Sequence, residues 1–334
     1  MASFKSYVLR RSAYAIATLI FAFHVSFLLV ANMPGDPIEI KAREFIIKYN
    51  MPYTQAYETA KSMYLLVPLN ASLYEKYFFY LSHITRGDLG RSIVYDKPVV
   101  ELIAESAPWT LLVAVPGILI GFVLGGLIGA FSGLRREKKT DAALLTLFTV
   151  LDSTPSYLFS LFFVFFLGVY LRLFPVYGTA DPSLTPGFYP EYILSVARHA
   201  VLPTLSYAIP AMAGWYMVMR YTVVSVLGED YVLFAQARGI PDRIIVRKYV
   251  ARAGLLPMVA GLAIAFGLIL GGALIIEQIY AYKGMGYLFL EGYNGHDYIL
   301  LQGLFLTQIF LLTLANMVTD LLYPLLDPRV RFYE

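Results

Sequence analysis

The sequence predicts an all-α polytopic membrane protein with six transmembrane helices. An extracytoplasmic insertion follows the first, and a basic helical loop joins the fourth and fifth on the cytoplasmic side. Three observations carry this expectation. The 334 residues are 58% hydrophobic and only 15% charged, well below the roughly 25% charge of soluble domains. Apolar runs recur at lengths near the ~20 residues that cross a bilayer as a helix. The basic residues gather in clusters that would all lie on one side if those runs span.

The runs, in order, are Ser12 to Ala31, Trp109 to Phe131, Ala142 to Tyr170, Val201 to Met219, Leu255 to Ile276 and Ile299 to Leu322. The third is long and interrupted by Asp152 and Pro155, so it is expected to tilt, kink or begin outside the hydrocarbon. The first is expected to be a retained helix. It is longer than a leader's apolar core, and Asn32-Met-Pro-Gly offers no small-x-small cleavage site. Lys5, Arg10 and Arg11 precede the first run, and Arg135, Arg136, Lys138 and Lys139 follow the second. Arg238, Arg243, Arg247, Lys248 and Arg252 lie between the fourth and fifth, and Arg329 and Arg331 follow the last. Basic clusters mark the cytoplasmic side, so an even number of spans places both termini there. The expected location is the cell (inner, cytoplasmic) membrane.

This divides the chain into a cytoplasmic N-terminus with the first span (1–31), an extracytoplasmic segment (32–106), a transmembrane domain (107–322) containing the basic loop 222–254, and a cytoplasmic tail (323–334). The outer segment is too polar to span. Lys41 to Tyr49 and Thr54 to Leu66 read as short helices between Pro34, Pro37, Pro52 and Pro68. Gly87-Asp-Leu-Gly-Arg-Ser92 reads as a turn leading back to the membrane.

In the basic loop, Tyr231, Phe234, Ala235 and Arg238 are spaced as one face of a short helix. Gly239 is a helix stop and Pro241 prevents continuation. A second basic, amphipathic helix is expected from Asp242 to Gly254, with Pro257 at the entrance to the fifth span. By periodicity and charge alone, the loop fits equally an interfacial helix held on anionic lipid and a face for a soluble partner.

Polar residues inside apolar runs are functional candidates. Asp152 either faces a polar path or another membrane subunit, or caps the helix that restarts before Pro155. Glu277, at the outer end of the fifth run, either contacts a cation or amine in the path or is a solvated interfacial carboxylate. Asn316 and Asp320, one turn apart, are expected to fix helix packing or meet the loop arginines. Gly121, Gly125 and Gly129 recur every fourth residue and favour close helix packing, including against a partner subunit.

The chemistry excluded is as informative. There are no cysteines, hence no disulfides or thiolate sites. No Gly-x-x-x-x-Gly-Lys-Ser/Thr loop is present to cradle nucleotide phosphates. His24, His83, His199 and His296 are scattered and suggest no metal pair. A net charge of +3 gives no reason to expect nucleic acid. The chain is read as a non-enzyme without cofactor or metal.

The ordered motifs resemble the inner-membrane permease subunits of ABC importers of the dipeptide, oligopeptide and nickel type. They are Met33-Pro-Gly-Asp-Pro37, Gly87-Asp-Leu-Gly90, Thr110-Leu-Leu through Gly129 with Leu134-Arg-Arg136, and Ser153-Thr-Pro-Ser156. His199-Ala-Val-Leu-Pro203, Ile276-Glu-Gln-Ile-Tyr through Gly284-Met-Gly286, Asp297-Tyr298, Asn316-Met-Val-Thr-Asp320 and Asp327-Pro-Arg-Val-Arg331 continue the series. The resemblance implies a coupling helix that docks an ATPase, formed by Tyr231, Phe234, Ala235, Ala237, Arg238 and Gly239. The general docking signature begins Glu-Ala-Ala; here those positions hold Leu233, Phe234 and Ala235, as in the peptide-type branch, so no glutamate is available. Implied partners are a second homologous permease, two ABC ATPase subunits or domains that alone bind ATP and Mg, an extracytoplasmic solute-binding protein and membrane lipid. The implied cargo is di- or oligopeptide, then oligosaccharide or nickel chelate. The rival class is an autonomous proton- or sodium-coupled secondary transporter, which would favour paired membrane carboxylates and inverted repeats.

Overall fold

The computed structural model describes residues 4–31, 37–64, 72–269 and 274–326. Most of the Met33-to-Pro37 motif, the Asp327-to-Arg331 motif, and Arg329 and Arg331 of the tail lie outside them. Every regular element among the described residues is helical.

A helical cap follows the first helix, α1 (Phe4–Ala31), and contains α2 (Pro37–Tyr49), α3 (Tyr53–Tyr64) and α4 (Leu73–Ile84). Helices α2 and α3 bury Ile38, Ala42, Phe45, Ala56, Ala60 and Tyr64 against Ile93. The Tyr64 hydroxyl donates to Asp96 at 2.8 Å, whose other partner is Arg91. The Arg91 guanidinium holds the Asp96 carboxyl below its ordinary range. Helix α4 was not expected, although Ser72-Leu-Tyr-Glu75 carries the signature of a capping box, with both reciprocal bonds made. Its Tyr80 packs on Phe23 and Phe27 of α1, and Tyr77 meets His24 at 2.7 Å.

Helix α5 (Val99–Leu134) starts before the anticipated boundary at residue 107 and runs for 36 residues through Pro108 and Pro116. The expected third span is two helices, α6 (Lys139–Ser153) and α7 (Ser156–Phe163), the latter continuing as a π-helical stretch over Val164–Tyr170. They meet at 95°. The residue before a proline is pushed out of the helical region. Thr154 accordingly takes φ −87° and ψ 123°, and the helix turns there.

The longest helix is α8 (Pro190–Val226). After it come α9 (Asp230–Ala237), α10 (Asp242–Ile245) with a π-helical stretch at Val246–Val250, α11 (Ala251–Ile269), α12 (Leu274–Ile279), α13 (Met285–Asn294) and α14 (Tyr298–Leu326). The second loop helix is therefore not separate. It runs on into α11, with Pro257 inside that helix.

Four described stretches are long and apolar enough to cross a membrane: Ser6–Leu28, Val99–Leu134, Lys248–Ile269 and Tyr298–Asp320. The bent pair α6–α7 makes a fifth if it counts as one span. Helix α8 has the length for a sixth, but Arg198, His199, Ser206, Tyr207 and Arg220 dilute its apolar character.

The core is the crossing of α5 and α8. A side chain at Gly121 would strike Ala211, one at Gly125 the Met212 carbonyl and Trp215, and one at Gly129 the Tyr216 carbonyl and Met219. The stripe extends to Gly117, against Tyr207, and Gly133, against Val223. These glycines let two backbones touch, and the surface they meet is α8 of the same chain, not a partner permease.

Candidate functional site

Helix α9 is short, and its end is built by the chain's own bonds. Gly239 sits at φ +71°, a conformation that only glycine adopts without cost. Its amide donates to the Gln236 carbonyl at 2.9 Å, and the Ile240 amide donates to the Ala235 carbonyl at 3.2 Å. That pair of bonds is a Schellman stop, as expected from Gly239.

The facing of α9 differs from expectation by one position. Val232 and Ala235 are buried at 0% and 3% exposure, with Met219, Val223 and Val226 of α8 and Ile245, Val250 and Met258 beyond the loop. Tyr231, Leu233 and Phe234 point outward, Phe234 being 64% exposed. Arg238 lies over the Phe234 ring at 5.8 Å, and Ala237 and Gly239 are also exposed. Ala235 thus faces the chain's own core, unlike the other residues expected to dock. Leu233 belongs to the outward face instead. The periodicity of Val232 and Ala235 with Ile240 could have identified the inner side. The side chains of Arg243, Arg247 and Arg252 lie outside the described residues.

Glu277, on α12, is another correction. It is neither solvated nor open to a path but 0% exposed. Its Oε2 accepts from the Gly286 amide at 2.8 Å and the Tyr287 amide at 3.2 Å. Its Oε1 accepts from the Thr110 hydroxyl at 2.8 Å and from Tyr207 at 3.4 Å. Thr110 Oγ1 in turn accepts from the Met285 amide at 2.8 Å. The first amides of α13 have no partner within their own helix. A carboxylate on a neighbouring helix and a threonine on α5 supply them, and the negative charge suits the helix's positive end. A side chain at Gly284 would collide with both Glu277 and Thr110, which explains that glycine. Nearby, Asp297, also 0% exposed, accepts from Ser92 at 2.6 Å, the Val94 amide at 3.0 Å and the Leu300 amide at 3.0 Å. It caps α14 and ties the cap's return turn to it.

Asp152 lies exposed in the last turn of α6. It does not cap α7, whose N-cap position is Pro155 and carries no side-chain bond. Its Oδ1 stands 3.9 Å from where a side chain at Gly214 of α8 would begin. The structure does not bring it together with Glu277. Asp320 meets Arg11 of α1 at 3.2 Å, which ties α14 to α1, and Asn316 is exposed.

One buried ion pair escaped the sequence reading. Arg220 of α8 forks onto Asp141 of α6, Nε to Oδ1 and Nη2 to Oδ2, both at 2.7 Å. Ser132 of α5 donates to Asp141 Oδ1 at 2.6 Å and meets the Tyr216 hydroxyl at 2.8 Å. The signal was available: both charges sit at the margins of apolar runs.

Comparison with known proteins agrees with this architecture. Residues 110–332 match the family described as binding-protein-dependent transport system inner membrane component. The oligopeptide transport system permease protein OppB of Haemophilus influenzae is 29% identical over 98% of this chain and 99% of its own. The dipeptide transport system permease protein DppB of Lactococcus lactis is 27% identical over 97% and 99%. The glutathione transport system permease protein GsiC of Shigella flexneri is 27% identical over 98% and 99%. This is a transport family, not an enzyme family, and the chain belongs to it as a binding-protein-dependent transport system inner membrane component.

Proposed function

We propose that this chain is one permease subunit of an ABC importer for peptides. It crosses the cytoplasmic membrane six times, with α6–α7 as a broken span, α8 as a full span and both termini in the cytoplasm. With a second, homologous permease it encloses the path. Two ABC ATPase subunits or domains dock below, and an extracytoplasmic binding protein delivers cargo above. ATP and Mg are held by the ATPases alone, as ATP hydrolysis is theirs. Nothing in the site chemistry calls for another cofactor.

One observation carries the reading: α9 is anchored on one face by Val232 and Ala235 and leaves Tyr231, Leu233 and Phe234 uncovered on the other. An aromatic-rich exposed face on a fixed helix is what a partner's groove recognises. Closure of the ATPases on ATP would shift α9, and the helices packed on it would rock the path between its two openings. Three relatives named for oligopeptide, dipeptide and glutathione transport favour peptide over oligosaccharide or nickel chelate. Asp152 is the residue proposed to face the path or the second permease.

The test is uptake in proteoliposomes. The full assembly with its binding protein should accumulate a labelled oligopeptide only with ATP inside. Accumulation by the lone chain on a proton or sodium gradient would instead establish the secondary-transporter reading.

A further inference from the structure

The Arg220–Asp141 pair does more than hold two helices together. Its side chains are only 11% and 5% exposed. Burying two charges costs several kcal/mol, which their attraction barely returns, so stability alone is a poor reason to keep such a pair. Its geometry is more informative. A two-bond guanidinium–carboxylate fork fixes angle and register, unlike apolar surfaces, which can slide.

The pair's position gives that rigidity a use. Met219, Val223 and Val226, flanking Arg220 on the last turns of α8, lie in the same buried cluster as Val232 and Ala235 of α9. The end of α8 is therefore shared: one side holds α9 and another, through Arg220, holds α6. Ser132 adds α5 to the grip. Phe148 of α6 stacks on Tyr216 of α8 with centroids 4.1 Å apart, so contact between the two helices continues along α6. That helix ends in the 95° corner with α7, where Asp152 is exposed.

From this geometry we infer that Arg220 and Asp141 form a coupling strut that forces α6, and with it the α6–α7 corner, to follow α9. They are positioning residues and touch neither cargo nor nucleotide. The inference rests on the importer reading given above.

The experiment uses the complete assembly in proteoliposomes and measures ATP hydrolysis and peptide uptake together. The double variant Asp141→Asn/Arg220→Gln keeps similar volumes and removes both charges. It should assemble in wild-type yield and hydrolyse ATP at the wild-type rate, with uptake per ATP reduced about tenfold, the scale of a typical coupling between sites. Arg220→Lys keeps the charge but loses the fork, and it should lower uptake per ATP in the same direction. If the double variant does not assemble, Arg220→Lys decides. Wild-type uptake per ATP in whichever variant assembles overturns the strut, as does an Arg220→Lys variant whose loss of uptake is matched by its loss of assembled complex. Absence of ATP-driven uptake in the wild-type assembly would instead defeat the importer reading, and the strut with it.

Discussion

The two ends of this molecule treat their polar and apolar groups in opposite ways. At the end bearing α12 and α13, Glu277 and Asp297 are fully enclosed, and their bonds come from the chain's own amides and hydroxyls. At the end bearing α9, one face of a helix is locked into the core while Tyr231, Leu233 and Phe234 remain uncovered. That corner is completed by folding. On the proposed reading, the α9 end is completed when an ATPase covers it. The proposed importer would use both: a framework that holds its shape, and a surface that accepts force from a separate motor.

Substitutions should separate these roles. The largest expected effect on stability is at Glu277. Glu277→Ala leaves the Gly286 and Tyr287 amides buried without acceptors, at about 1–3 kcal/mol each. Denaturation in detergent should show a loss of about 3 kcal/mol or more, and a wild-type unfolding curve would break the contrast from the Glu277 side. Next is Gly125→Ala, whose methyl would meet the Met212 carbonyl. Overpacking of this kind costs about 1–3 kcal/mol, and the same denaturation assay reads it. Gly239→Ala puts a side chain at φ +71° but into open space, so only backbone strain remains, about 1 kcal/mol. Gly239→Pro, or deletion across Tyr231 to Arg238, should uncouple uptake while leaving the membrane fold intact. Smallest in stability is Phe234→Ala, within about 0.5 kcal/mol because the ring is exposed. In the full assembly, however, ATPase binding and peptide uptake should fall sharply. A stable variant with failed uptake would sharpen the comparison, whereas unaltered uptake would remove α9 from the account.

What could be read in advance follows from distance along the chain. The Gly239 stop, the break at Pro155 and the four-residue glycine spacing are local patterns, and each corresponds to a feature of the structure. Ser72 and Glu75 are equally local, and their capping box could have revealed α4. The partners of Glu277 could not be read this way: Thr110 is 167 positions away, and the bond exists only because α5 passes beside α12. Asp141 and Arg220 are 79 positions apart and become a pair only where α6 crosses α8. The spacing of Tyr231, Phe234, Ala235 and Arg238 placed Ala235 on the same face as the aromatic residues, whereas it is buried beside Val232. The actual inner stripe of α9 is the smaller pair Val232 and Ala235, which fits the limited space against Met219 and Val223. Glycines placed by spacing alone could not reveal which helix they meet, and α8 proved to be that helix.

The central claim is that the uncovered face of α9 lies in the cytoplasm and is covered by the ATPase. The chain has no cysteine, so Phe234→Cys introduces a single thiol for labelling with a membrane-impermeant maleimide. The account predicts labelling in inside-out vesicles and none in right-side-out vesicles, with protection when the ATPase subunits are added. Labelling from the outer side, or cytoplasmic labelling indifferent to the ATPases, would contradict it.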